Sequence, residues 1–295
     1  MTSDWREQDD QRTAERVEST AFLPGTNIEI IRPGRWRTPP RHVIFDFDGT
    51  LSLIREGWPE VMVPMMTEVL QATGTDESWE TLRRCVHEYV MQLNGKQTIY
   101  QMIRLADEVR RRGGEPEDPL VYKTRYHDRL MKRISHRREQ LRVGEVPPEA
   151  MLVPYTFQLL NEIRSRSVVL HLASGTDESY VLEEARLLGL DAYFGSRIHG
   201  ARDDFKNFSK AKVIERILAE NRVEGSALLG FGDGYVEIQN VKAAGGIAVG
   251  VASDEAERGG TPDAWKRDRL VGVGADIVIP DYRDYRPLLD YLWTQ

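Results

Sequence analysis

Cysteine is almost missing: Cys85 is the only one in 295 residues. That excludes an internal disulfide and any cysteine-rich metal site. Cys85 falls in a helical pattern, where packing is its expected role. No uninterrupted apolar run approaches membrane-span length. The opening Met1-Thr-Ser-Asp-Trp-Arg-Glu-Gln-Asp-Asp lacks an apolar signal region, so a soluble cytoplasmic protein is the expectation. Positive charge is short as well. Forty Lys and Arg against 47 Asp and Glu leave a net charge of −7, which argues against broad nucleic-acid binding. No internal repeat is visible, and nothing in the composition speaks to oligomeric state. Hydrophobic residues at 40% support a globular core, in one large domain or two smaller ones.

What is present is a set of apolar runs that end in chemistry. Residues 42–52 read His-Val-Ile-Phe-Asp46-Phe-Asp48-Gly49-Thr50-Leu-Ser. A buried strand needs Val43-Ile44-Phe45; it does not need two acids at its tip. Open α/β sheets build sites at the carboxyl ends of strands. Two carboxylates there can hold Mg²⁺, supply a nucleophile and relay a proton. A second run, Val168 to Ala173, ends in Ser174-Gly175-Thr176 before an apolar-periodic segment with Tyr180, Leu182, Ala185 and Leu188. A hydroxyl backed by a helix N-terminus suits a phosphoryl oxygen, though a plain helix N-cap uses the same residues. Lys210 opens a further helical pattern with Ser209 as N-cap; Lys206 and Lys212 compete with it. Ala227 to Gly232 is a third apolar run, followed by Asp233-Gly234 and, four residues past the Asp, Glu237. Clustered carboxylates repel, and a divalent cation resolves that repulsion.

Taken in order, Asp-x-Asp-Gly-Thr, Ser174, Lys210 and Gly-Asp-Gly resemble the four motifs of the haloacid dehalogenase superfamily. The usual fourth motif is Gly-Asp-x-x-x-Asp, and Glu237 departs from its last Asp. The resemblance covers most of the chain after residue 41. It implies an α/β fold, a Rossmann-like doubly wound parallel sheet with an inserted α-helical cap of the C1 type. Core segments would be 21–52 and 151–295, the cap 53–150, and residues 1–20 a loose tail. Asn27–Ile31 reads as an extra strand.

Between the first two motifs the pattern is almost all helical. Val61, Met65 and Val69 share one side of a helix from Pro59 to Ala72. Leu82, Val86, Tyr89, Val90 and Leu93 mark a second. Ile99, Met102, Ile103, Ala106 and Val109 mark a third, ended by Gly113-Gly114. Tyr122, Tyr126, Leu130 and Ile134 stripe a fourth, and Pro147-Pro148 is expected to open a return helix toward Ser167. Residues 51–150 hold 16 basic and 16 acidic side chains, so the −7 lies outside them. Arg125, Arg129, Arg133 and Arg137 form a row at spacing four, read as a solvated face in preference to an anion-attracting one. The loop Asn94-Gly95-Lys96-Gln97-Thr98 is read as a substrate contact or an ordinary connection. The polar excursion Ser253–Trp265 reads as a surface feature near the rim of the site, with no role assigned.

The resemblance implies a phosphatase for a small phosphorylated metabolite, a sugar phosphate or similar phosphomonoester, using Mg²⁺ and an aspartyl-phosphate. Asp46, Asp48, Ser174 and Lys210 would be catalytic. Asp46, Asp48, Asp233 and Glu237 would serve the metal. Gly49, Thr50, Gly175, Arg55 and Lys96 would meet the substrate. Dehalogenases as a family lack the second aspartate, which this chain keeps as Asp48. The alternatives are a phosphomutase of the β-phosphoglucomutase type and a catalytically silent metabolite-binding protein.

Overall fold

The computed structural model describes residues 13–14, 19–34, 38–202 and 209–293. Strands β1 (Ala21–Phe22), β2 (Glu29–Ile30), β3 (His42–Phe45), β4 (Val169–Asp177), β5 (Ile198–Ala201), β6 (Leu228–Gly232), β7 (Ile247–Val251) and β8 (Ile277–Ile279) form one sheet in the order β1-β2-β8-β7-β6-β3-β4-β5. The six strands from β8 to β5 are parallel, and β2 and β1 continue the β8 edge antiparallel. From β3 the chain first builds outward through β4 and β5, then returns to build the other side from β6. β3 is therefore the switch point of the sheet, where a crevice opens at the carboxyl ends of the strands.

Helices cover both faces, so successive strand residues are apolar on both sides. Val43 and Phe45 pack into one cluster with α5 (Thr156–Ser165), α6 (Glu178–Leu187), α7 (Asp191–Phe194) and α11 (Tyr285–Trp293). Ile44 packs into the other with α8 (Lys210–Asn221), α9 (Tyr235–Ala243) and α10 (Ala264–Gly272). Phe45 stacks on Phe231 at 4.7 Å between ring centres, and Phe231 meets Tyr282 edge-on. These rings floor the strand tips that carry Asp46 and Asp233.

Between β3 and β4 lie four helices: α1 (Pro59–Gln71), α2 (Trp79–Gln92), α3 (Thr98–Arg111) and α4 (Pro119–Arg142). Their apolar faces join the first cluster, with Met65, Leu82, Met102 and Leu130 buried. The segments leading in and out of them pair with each other. Leu53 N donates to Met151 O and Val153 N to Leu51 O, both at 2.9 Å.

That pairing corrects the expected return helix. Pro148–Met151 makes only a 3₁₀ turn, and the helix starts at Thr156. Residues 151–153 are held extended against 51–53, and Pro154 disfavours helix in the residue before it. The expected loose tail falls mostly outside the described residues. Among those described, Ala14 N donates to Gly272 O at 2.8 Å.

The arginine row is also not simply solvated. Arg125 pairs with Glu117, Arg129 with Glu68, Arg133 with Glu60 and Arg137 with Glu56. The last three tie α4 to α1 and to the residues just before it.

Candidate active site

Asp46 follows β3, its amide bound to Phe231 O on the neighbouring strand at 2.9 Å. The residue is buried. Lys210 starts α8, where Ser209 caps the helix by accepting from Lys212 N at 3.2 Å. From there Lys210 Nζ reaches Asp46 Oδ1 at 2.9 Å and also pairs with Glu237 on α9. Burial pushes the Asp46 carboxyl up; Lys210 opposes this, and the charge of Asp233 adds to it. Lys206 lies outside the described residues.

Asp48 stands at the cavity wall. Its Oδ2 accepts from Thr176 Oγ1 at 2.8 Å, and its Oδ1 lies 3.7 Å from Arg55 Nε. Oδ1 is buried and has no hydrogen-bond partner among the described residues. Burial raises this carboxyl to about 7, with Arg55 pulling it down and Glu184 pushing it further up. Arg55 is itself gripped by Glu184 through two bonds of 2.9 Å, and Glu184 is fully buried.

One cavity brings most of the expected residues together. Asp46, Asp48, Gly49, Arg55, Lys96, Gly175, Lys210 and Asp233 all line it. Trp58, Met62, Asn94 and Tyr126, all from the segment between β3 and β4, line it too. The 94–98 loop lies directly on the strand tips. A Cβ on Gly175 would stand 2.9 Å from Lys96 O, and one on Gly234 3.0 Å from Gly95 Cα. Arg269 on α10 binds the carbonyls of Met91 and Gln92 at 2.5 and 2.6 Å, anchoring the end of α2 to the sheet domain.

Other residues sit differently. Ser174 does not line the cavity. It is 1% exposed, and its Oγ accepts from Thr176 N at 3.0 Å. β4 runs on past Ser174 to Asp177, so Thr176 is the hydroxyl that reaches the wall. Thr50 is likewise internal: its Oγ1 accepts from Asp233 N at 2.9 Å and its carbonyl from Tyr282 OH at 2.7 Å. It ties the first motif to the fourth. Gly49 has φ +73°, and a Cβ there would overlap Asp233 Oδ2. Its amide donates to Ser52 O, so the glycine supplies close approach rather than a free N–H.

Two residues were absent from the motif pattern. Lys266 on α10 pairs with Asp233 Oδ2 at 3.0 Å and with Glu255 at 2.7 Å, and Glu255 lines the cavity. Burial alone would depress the Lys266 ammonium; Asp233 and Glu255 outweigh it and hold it above its usual range. The available signal was position: both follow a parallel strand, β7, on the side where sites form.

No cluster of three or more His, Cys, Asp or Glu with metal-holding geometry occurs among the described residues. Of the set implied by the motifs, the Asp46 and Asp233 carboxylates and the Asp48 residue line the cavity, its main-chain carbonyl being the donor considered, while Glu237 does not line it and pairs with Lys210. The chemistry of the lining donors fits a hard divalent cation. The repulsion of Asp233 that raises Asp46 is what such a cation would relieve. No helix among the described residues is long and apolar enough to cross a membrane.

Comparison with known structures places the fold. The chain superposes on a predicted phosphoglycolate phosphatase from Haemophilus somnus with a TM-score of 0.54 at 16% identity, covering 85% of this chain and 99% of the other. A β-phosphoglucomutase from Clostridium difficile gives 0.55 at 12% identity, covering 86% and 97%. A family IA, variant 3 haloacid dehalogenase hydrolase from Entamoeba histolytica gives 0.56 at 16%, covering 85% and 99%. No curated protein sequence matches. A family model for haloacid dehalogenase-like hydrolases matches residues 40–245. With that span, and with the strand tips arranged as above, the chain belongs to the haloacid dehalogenase-like hydrolase family.

Proposed function

We propose that the chain is a phosphatase that hydrolyses a small phosphomonoester through an aspartyl-phosphate on Asp46. The observation that carries this is the division of labour at one strand tip. Asp46 is held against Lys210 at 2.9 Å, while Asp48, two residues on, is bound by Thr176 at 2.8 Å and keeps a buried Oδ1 without a hydrogen-bond partner among the described residues, an environment that raises its carboxyl to about 7. Asp46 attacks phosphorus in line, and the P–O bond to the leaving group breaks. Asp48 gives its proton to the departing alkoxide. It then takes a proton from the water that attacks the acyl-phosphate, which releases phosphate and restores Asp46. Lys210, oriented by Glu237, stabilises charge on the phosphoryl oxygens. Thr176, positioned by Ser174, holds Asp48 in place.

Family members generally use a divalent metal, and Mg²⁺ is the ion proposed here. Asp46, Asp233 and the Asp48 carbonyl would hold it; when bound it would screen the carboxylates from the substrate phosphate. The segment 53–150 acts as a cap that excludes water and large substrates. The mix of Trp58, Asn94 and Lys96 in the cavity lining suits a polar, hydroxylated leaving group such as a sugar.

Phosphate release from a panel of phosphorylated metabolites tests this, with Mg²⁺, with EDTA, and with Asp46→Asn. Release that needs the metal and vanishes in the variant is expected. Near-wild-type turnover by Asp46→Asn would remove Asp46 as nucleophile. Activation of turnover by a sugar bisphosphate would point to a mutase instead.

A further inference from the structure

The excursion between β7 and α10 delivers a second lysine to the candidate cation site. Asp263 caps α10, accepting from Lys266 N at 2.8 Å. This sets Lys266 in the first turn, with its side chain directed inward and the residue buried. An ammonium has three donors and no acceptor. Here they go to Asp233 Oδ2 at 3.0 Å, Glu255 Oε1 at 2.7 Å and Ser253 Oγ at 3.1 Å. Ser253 Oγ donates in turn to Gly49 O at 2.6 Å. The lysine thus braces both Asp233 and the turn that follows Asp48. The turn at Gly49 also lies so near Asp233 Oδ2 that a Cβ there would overlap it. One oxygen of Asp233 is committed to protein partners, which leaves Oδ1 to face a cation.

We propose that Lys266 is a positioning residue that restricts Asp233 to one-oxygen coordination and so selects Mg²⁺ over Ca²⁺. This rests on Asp233 being a cation ligand, as in the function proposed above. Mg²⁺ demands a near-octahedral shell of about six ligands and is content with single carboxylate oxygens. Ca²⁺ takes roughly six to eight oxygens and gains from carboxylates that chelate through both. Chelation by Asp233 would require breaking a buried ion pair. The penalty falls on the ion that needs the second oxygen. A neutral residue at 266 also removes a positive charge, which strengthens binding of both ions alike. The ratio of the two affinities therefore isolates the geometric effect.

The test is calorimetric titration of the metal-free chain with Mg²⁺ and with Ca²⁺. Lys266→Met is expected to raise the Ca²⁺-to-Mg²⁺ affinity ratio by about tenfold, the scale on which outer partners of metal ligands act. Removing Lys266 alone leaves Asp233 and Glu255 without their partner, a change that can prevent folding. The double variant Lys266→Met with Glu255→Gln keeps the charge of the cluster unchanged and is measured beside it, with circular dichroism to establish the fold. The same rise in ratio is expected. An unchanged ratio in a folded variant overturns the role of Lys266 while leaving the metal site standing. A wild-type chain that binds neither ion overturns the metal site, and this inference with it.

Discussion

Lys210 carries two carboxylates at once, Asp46 at 2.9 Å and Glu237 beside it. It holds the proposed nucleophile in place before substrate arrives and offers charge to the phosphoryl group afterwards. Removing a preorganised donor of this kind costs about a hundredfold to a thousandfold in kcat. Lys210→Met is expected to show that loss in steady-state kinetics, with KM little changed; a loss confined to KM would assign Lys210 to ground-state binding alone. This lysine was legible because a helix start places it and Ser209 caps that start. Lys266 was not. Nothing in Ala264-Trp-Lys-Arg-Asp marks one cation as buried, since its partners Asp233 and Glu255 arrive from other segments. Thr176 escaped for a different reason. The strand was expected to end at Ser174, and its continuation to Asp177 moves the reaching hydroxyl two residues along.

At the scale of elements, unbroken apolar runs made the central strands readable: β3 and β6 are buried on both faces and lead straight into Asp46 and Asp233. The antiparallel pairing of 51–53 with 151–153 was unreadable, because those stretches lie a hundred residues apart and carry no alternation of their own. The floor of the sheet holds a device that the motifs do not touch. His42 Nδ1 and His171 Nε2 lie 3.1 Å apart in the interior, with their rings stacked. Burial, then the charges of His42, Arg197 and His199, pushes His171 down to about 3. Burial and Arg41 lower His42 too. An unfolded histidine takes its proton near 6.5, so the folded chain resists protonation that the unfolded chain accepts. The stability due to His171 is complete above pH 6.5 and is lost as pH falls from there toward about 3. His171→Phe is expected to shrink the fall in Tm between neutral pH and pH 5, measured against wild type. Equal falls in both proteins would clear the pair of any part in acid unfolding.

Across the whole molecule, the arginine pairs that hold the four cap helices to one another and to their linker are of unequal worth. The pairs of Arg125, Arg129 and Arg133 are partly exposed, and such pairs contribute about 0–1 kcal/mol each. Arg137 differs. It binds the carbonyls of Ile54 and Glu56 at 2.9 and 2.8 Å and the Glu56 carboxylate at 2.5 Å. It therefore fixes the linker that runs from Asp48 to α1, the linker on which Arg55 and Trp58 are carried to the cavity. Looseness there shifts the cap wall relative to the strand tips, and misplacement of about 1 Å can cost on the order of a hundredfold in rate. Arg137→Ala is expected to lower kcat/KM by about tenfold to a hundredfold, while Arg125→Ala, which lacks main-chain partners, leaves it near wild type. Thermal unfolding of both variants provides the control, with little shift in Tm expected for the exposed pair of Arg125. A matching drop in Tm for Arg137→Ala would make its effect one of global stability. A loss of turnover at constant Tm would place it in the alignment of cap and core, the property on which substrate selection by a capped site depends.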